Sequence, residues 1–219
     1  MKYLRYFLYL AFNWNLRIAW YIIKTEIKGE KKYGIDTTGA DELKQLEKKG
    51  VDIDHSTIYM PANYKMLEEL FTATDLKDCK HFLDIGSGKG RALCVAAHYG
   101  ATKVTGIDFS RELSLAAKKN LDSTQKKFTA LQYNIVNNDA FYYEIPADVD
   151  IIFLFNPFDE VIMSGVAENI EISYEKNPRP ITIIYANPIC KDLFLEMGFK
   201  ESFHVQKMKY LEAIILKRL

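Results

Sequence analysis

The chain has few cysteines, no excess of cations, no cluster of metal ligands and no apolar run long enough to span a bilayer. Its three cysteines, Cys79, Cys94 and Cys190, are odd in number and none stand at C-x-x-C spacing. This argues against a disulfide framework and a zinc site, and for a reducing, cytoplasmic setting. The four histidines, His55, His81, His98 and His204, are scattered, so no metal is expected. Lysine plus arginine and aspartate plus glutamate number 29 each, for a formal net charge of zero. A protein that grips long nucleic acid draws much of its affinity from neutralising phosphates and usually carries a basic excess. Nucleic acid is therefore disfavoured as a partner. No internal repeat or low-complexity tract breaks the 219 residues, a length that suits one α/β domain with a terminal extension.

What is there begins with an apolar stretch over residues 1–24, rich in Leu, Ile, Tyr, Phe and Trp. Arg5, Asn13, Asn15 and Arg17 interrupt it before it reaches the ~20 apolar residues of a spanning helix. No small-residue cleavage site marks it as a signal peptide. The spacing predicts an amphipathic helix with Leu4, Phe7, Leu8, Ala11, Ile18 and Ile22 near one face, packed on its own domain or on a second subunit. Peripheral contact with a membrane is the competing reading, because Trp14, Trp20 and several tyrosines sit beside Arg and Lys. Residues 25–62 read as polar and irregular, with a short charged helix near 41–49 and a turn-rich loop at 34–39. Pro61 can open a helix over 63–73, where Met66, Leu67, Leu70 and Phe71 recur at helical spacing.

From residue 80 onward strand patterns alternate with helix patterns. Strands are expected at 80–85, 103–107, 131–136, 149–155 and 181–185. Helices are expected at 89–99, 110–121, 160–174 and 191–197, and two strands at 199–207 and 209–217 form a closing hairpin. The segment 149–155 is almost entirely apolar, as a strand buried on both faces should be. Such alternation implies an α/β fold, doubly wound around a mostly parallel sheet, with ligands at the carboxyl ends of the strands.

The chemistry-bearing residues fall at those ends. Asp84, Gly86, Ser87, Gly88 and Gly90 sit where the first strand turns into the first helix, and glycines there permit positive φ and close approach of a ligand to the backbone. The spacing is not the G-x-G-x-x-G of dinucleotide binding, since Arg91 follows Gly90, nor that of a phosphate loop. Asp108 and Phe109 end the second strand, where an acid can hold ribose hydroxyls. Asp139 and Ala140 follow the third strand, where a carboxylate can accept from an adenine amino group. Asn156, Pro157 and Phe158 follow the fourth, and residues 185–188 end the fifth with a second Asn-Pro turn. Each acid alone is an ordinary loop residue; three in order at the ends of successive strands form a pattern.

That pattern resembles the class I, seven-stranded S-adenosylmethionine-dependent methyltransferases, over roughly residues 55–219, with residues 1–54 as a helical extension. The resemblance implies a doubly wound sheet whose last strand is antiparallel. It implies that Asp84 lies near the methionine amino group, that the loop from Gly86 to Gly90 cradles the methionine and ribose, and that Asp108 holds the ribose. Phe109 would flank the adenine, and Asp139 with Ala140 would meet its edge. Asn156, Pro157 and Phe158 are similar to the Asn/Asp-Pro-Pro-aromatic motif of enzymes acting on amino nitrogens, without the second proline. Tyr59 and Pro61 resemble a segment lying over the cofactor in seven-strand protein lysine methyltransferases, including those acting on the c-subunit of ATP synthase. Catalytic roles are thereby expected for Asn156, Pro157, Phe158 and Tyr59, and a protein amine is the favoured acceptor. A non-catalytic module that binds S-adenosylmethionine is the alternative, and a nicotinamide-dependent enzyme is disfavoured by Arg91.

Overall fold

The computed structural model describes residues 2–39, 61–155, 159–207 and 211–219. Seven strands form one sheet: β1 (Phe82–Ile85), β2 (Lys103–Asp108), β3 (Gln132–Asn137), β4 (Ile151–Phe155), β5 (Ile181–Ala186), β6 (Lys200–Lys207) and β7 (Leu211–Arg218). Their order across the sheet is β3-β2-β1-β4-β5-β7-β6. Strands β1 to β5 pair in parallel, whereas β7 runs antiparallel to both β5 and β6. The order reverses beside β1, flanked by β2 and β4, and it is outside the carboxyl ends at such a switch point that open α/β sheets leave a crevice for ligands.

The helices are α1 (Lys2–Asn13), α2 (Leu16–Tyr33), α3 (Tyr64–Thr74), α4 (Arg91–His98), α5 (Arg111–Gln125), α6 (Glu160–Lys176) and α7 (Lys191–Glu196). Successive side chains of a strand point to opposite faces of the sheet. Phe82, Phe153, Ile184 and Ile215 accordingly meet Leu67, Leu70, Phe71 and Leu93 from α3 and α4. Their neighbours Leu83, Ile152, Ile183 and Ile214 meet Met163, Val166 and Ile170 of α6 and Phe194 of α7. Burying a side chain of this size stabilises the fold by about 1.5–3 kcal/mol. Helices on both faces are therefore what makes the central strands mostly apolar.

Several expectations for the N-terminal part need correction. Residues 1–24 do not form one helix: Asn15 breaks the run and caps α2, its side chain accepting from the Ile18 amide at 2.9 Å. Residues 25–33 are not irregular but continue α2 to Tyr33, and Gly34 then ends the helix in the left-handed region at φ 72. The polar residues there misled because Glu26 and Glu30 are buried against partners distant in sequence. The buried face comprises Tyr6, Leu10, Ile18, Ala19, Ile22 and Ile23, whereas Leu4 and Leu8 face outward. It is Asn63, not Pro61, that caps α3, accepting from the Lys65 amide at 3.1 Å. The expected helix at 41–49 lies outside the described residues.

Candidate active site

The turn after β1 is built for close approach. Gly86, Gly88 and Gly90 all take positive φ (79, 52 and 75), where any side chain is strained. The amides of Gly86 and Ser87 both donate to the Ile107 carbonyl, at 2.9 and 2.8 Å, which ties the turn to β2. Behind it, Gly106 leaves room that a Cβ would fill, 2.6 Å from Leu93 Cδ1 and 2.7 Å from Ser87 Oγ. Ser87 is buried and its hydroxyl has no hydrogen-bond partner among the described residues. A buried orphan hydroxyl is rare enough to point to a missing ligand.

Of the three acids, one already bonds to this loop. Asp84, in β1, is 3% exposed; burial, and after it the Asp108 carboxylate, push its carboxyl well above the usual range. Asp108, the last residue of β2, accepts from the Gly88 amide on Oδ2 at 2.8 Å and from the Ser110 amide on Oδ1 at 2.9 Å. Asn137 Nδ2 donates to the carbonyls of Asp108 and Phe109, at 2.9 and 2.7 Å, and fixes the end of β2 from β3. Asp139 is exposed beyond β3, and its carboxylate caps the turn Ala140–Tyr142 by accepting from the Phe141 amide at 2.9 Å. The structure thus brings Asp84, Gly86, Ser87, Gly88, Gly90, Asp108, Phe109, Asp139 and Ala140 to one edge of the sheet.

The other half of the crevice lies at the ends of β4 and β5. A cavity of about 280 Å³ opens there, bordered by Tyr6, Trp14, Pro61, Phe155, Asn187 and Glu212. Asn187, which ends β5, takes φ 51, and its amide donates to the Glu212 carbonyl at 2.8 Å. Asn156, Pro157, Phe158 and Tyr59 lie outside the described residues. Tyr6, Trp14 and Glu212 were missed from sequence, because nothing local tells which part of the sheet the N-terminal helices cover.

A second element missed was the anchor of α4. Arg91 is 3% exposed, and its guanidinium donates to both carboxylate oxygens of Glu26 at 2.7 and 2.5 Å. It also donates to Thr37 Oγ1 and the Ala62 carbonyl, each at 2.8 Å, and lies over the Tyr64 ring at 4.1 Å. Asn120 of α5 pins residues 34–39 nearby, exchanging hydrogen bonds with the Asp36 backbone and donating to the Lys89 carbonyl at 3.0 Å. The residue that spoils a dinucleotide fingerprint is thus the one that binds the extension to the glycine loop.

An amino-acid ligand with a sulfonium, a ribose and an adenine fits this arrangement. Asp84 can take its ammonium, the glycine loop with Ser87 can cradle its middle, and the edge at Asp108 and Asp139 can meet the nucleoside. Residues 82–170 match a family described as a methyltransferase domain. No curated protein matches the chain in sequence. Among solved structures, an S-adenosylmethionine-dependent methyltransferase from Thiobacillus denitrificans, bound to S-adenosyl-L-homocysteine, is 22% identical with a TM-score of 0.53 over 68% of either chain. An RNA methyltransferase from Salinibacter ruber, also bound to S-adenosyl-L-homocysteine, is 15% identical with a TM-score of 0.53 over 72% of this chain and 92% of that one. A ribosomal protein L11 methylase from Lactobacillus delbrueckii subsp. bulgaricus is 16% identical with a TM-score of 0.50, over 70% and 77%. The strand order and the antiparallel β7 give the chain the fold of these S-adenosylmethionine-dependent methyltransferases, and its residues 82–170 match a methyltransferase domain.

Proposed function

We propose that the enzyme methylates an amino nitrogen, with a protein lysine as the favoured acceptor. The observation that carries this reading is the cavity at the ends of β4 and β5, where Tyr6, Trp14 and Phe155 offer aromatic walls and Glu212, whose carboxylate lies 3.1 Å from the His204 Nε2, stands at the border. Rings attract an alkylammonium through their faces, and the aliphatic stem of a lysine packs on the same surface. A nucleic acid would have to bring phosphates toward that carboxylate with no basic excess in the chain to favour them. The fold itself does not choose, since similar structures include both an RNA methyltransferase and a ribosomal protein methylase.

When bound, the cofactor would supply a methyl group activated on a sulfonium, transferable to an in-line nucleophile as the sulfur leaves with the S–C electron pair as a thioether. The protein's part is positioning and exclusion of water. Asp84 would neutralise the cofactor ammonium, and Asp108 would hold the ribose while keeping the Gly88 amide in place. An ammonium drawn in by Glu212 must lose a proton to water before its lone pair can attack. Asn156, one residue beyond Phe155 in the chain, is assigned the oxygen that aims the neutral amine; Phe158 and Tyr59 are assigned to shield it, and Pro157 to stiffen the turn.

Labelled S-adenosylmethionine added to a native lysate tests the reading. Label is expected in protein, on lysine after hydrolysis, with Glu212→Gln raising KM for the acceptor. Label mainly in RNA, DNA or small molecules would overturn it.

A further inference from the structure

The apolar residues of the N-terminal hairpin divide into two sets. Tyr6, Leu10, Ile18 and Ile22 are buried. Leu4, Leu8 and Phe12, four residues apart on α1, are 63%, 58% and 91% exposed. Leu16, Trp20 and Ile27 form a second exposed set on α2, at 69%, 67% and 46%. The rings of Phe7 and Trp20 meet edge to face at 6.5 Å, so the two helices lie side by side there. Six large apolar side chains on one hairpin are more than the scatter of single exposed residues normal for a soluble surface.

The exposed charges carried by the two helices are of one sign, although Lys2 and Lys32 pair with Asp36 and Glu68 beside them. Residues 1–25 contain no Asp or Glu, and Arg5, Arg17, Lys24 and Lys28 are exposed. The two acids of α2, Glu26 and Glu30, are buried against Arg91 and against Lys2, Thr37 and Thr38. Every exposed charge on the hairpin is therefore positive. We propose that this hairpin is a docking surface for an anionic lipid bilayer, with α1 and α2 lying at the headgroup level. Apolar side chains insert, Trp20 sits at the interface, and the cations meet the lipid phosphates. No helix among the described residues is long and apolar enough to cross a membrane. A second copy of the chain would bring an equally cationic hairpin against this one, so charge favours a lipid surface over self-association. Trp14 is partly exposed and also borders the cavity at the ends of β4 and β5, so docking sets that cavity beside the headgroups. The proposal stands independently of which acceptor is methylated.

Flotation of the full chain with vesicles tests it. The protein is expected to float with phosphatidylcholine vesicles containing phosphatidylglycerol and to stay behind with phosphatidylcholine alone. Phe12→Glu and Leu16→Glu should each reduce binding about tenfold or more without lowering the melting temperature, since both positions face water. Combined Arg5→Gln, Arg17→Gln and Lys24→Gln should weaken binding and blunt its salt dependence. In a Trp14→Phe chain, Trp20 is the only tryptophan, and its emission should move to shorter wavelength with the anionic vesicles. A folded full chain that does not float with anionic vesicles would overturn the proposal. So would equal binding to neutral vesicles, or a dimer in solution that Leu8→Glu converts to monomer while no vesicle binds.

Discussion

Asp108 holds two backbone amides before any cofactor arrives, from Gly88 in the loop and Ser110 at the start of α5. Asp108→Ala should then cost more than one ribose contact, because the Gly88 amide loses its partner as well. Charge-assisted hydrogen bonds contribute roughly 1.5–3 kcal/mol, so S-adenosyl-L-homocysteine affinity should fall about ten- to a hundredfold by calorimetry. An unchanged affinity would remove Asp108 from the site. Gly106→Ala probes the same loop from behind: the new methyl meets Leu93 and Ser87, and overpacking of this kind costs about 1–3 kcal/mol, readable in denaturant unfolding. Asp84 adds a pH dependence. Its carboxyl is raised well above its ordinary value of 3.8, by burial and then by the Asp108 carboxylate, so it holds its proton to a higher pH than a solvated aspartate, and pairing with an ammonium favours losing that proton. Cofactor affinity should therefore rise with pH through the raised pKa and level off above it. Asp84→Asn should bind weakly and flatten the profile; a flat profile in the native chain would show that no ammonium is bound there.

The helices differ in how much of their placement was written locally. From residue 80 onward the strands and helices fall where the alternation of patterns put them, because each carries its own period and β4 is apolar along its length. The positions of Asp84, Asp108 and Asp139 at the carboxyl ends of β1, β2 and β3 were legible for the same reason. Helix α2 was not, because Glu26 and Glu30 read as surface residues until their partners are known. Arg91 lies 65 residues from Glu26 in sequence, and no short-range pattern joins them. Their pairing predicts a marked asymmetry. Arg91→Gln or Glu26→Gln alone should destabilise by about 3–5 kcal/mol in denaturant unfolding, because each leaves its partner's charge buried. The double variant Arg91→Met, Glu26→Leu should recover much of that loss. If the single and double changes simply add, the two residues are not coupled. Cofactor affinity should drop in the single variants too, since Arg91 opens α4 directly after Gly90.

For the molecule as a whole, the seam that joins α2 to α1 and to residues 36–38 is polar, and polar seams titrate. Which face of α1 packs could not be read from a helix apolar on nearly all sides; tertiary partners chose Tyr6 and Leu10 over Leu4 and Leu8. Glu30 sits at the centre of this seam. It accepts from Lys2 at 2.6 Å, from Tyr3, from the amides of Thr37 and Thr38 at 2.8 and 2.7 Å, and from the Thr38 hydroxyl at 2.7 Å. Burial acts to raise its pKa, but the hydrogen bonds from Lys2, Tyr3, Thr38 and Thr37 outweigh it and hold the carboxyl down to about 2, against an ordinary value of 4.5. Between those two values the unfolded chain binds the proton that the folded one refuses. The contribution of Glu30 is thus complete above pH 4.5 and lost as pH falls toward 2. Its partners lie on α1 and on residues 37–38, so protonation loosens the hairpin before it touches the apolar sheet. Hydrogen exchange should then accelerate over residues 2–38 between pH 4.5 and 2 while β1, β4 and β5 stay protected. Glu30→Gln should show the fast exchange at neutral pH and lose most of the pH dependence. Exchange that speeds up evenly over hairpin and sheet would mean that they open as one unit and that Glu30 does not govern the seam.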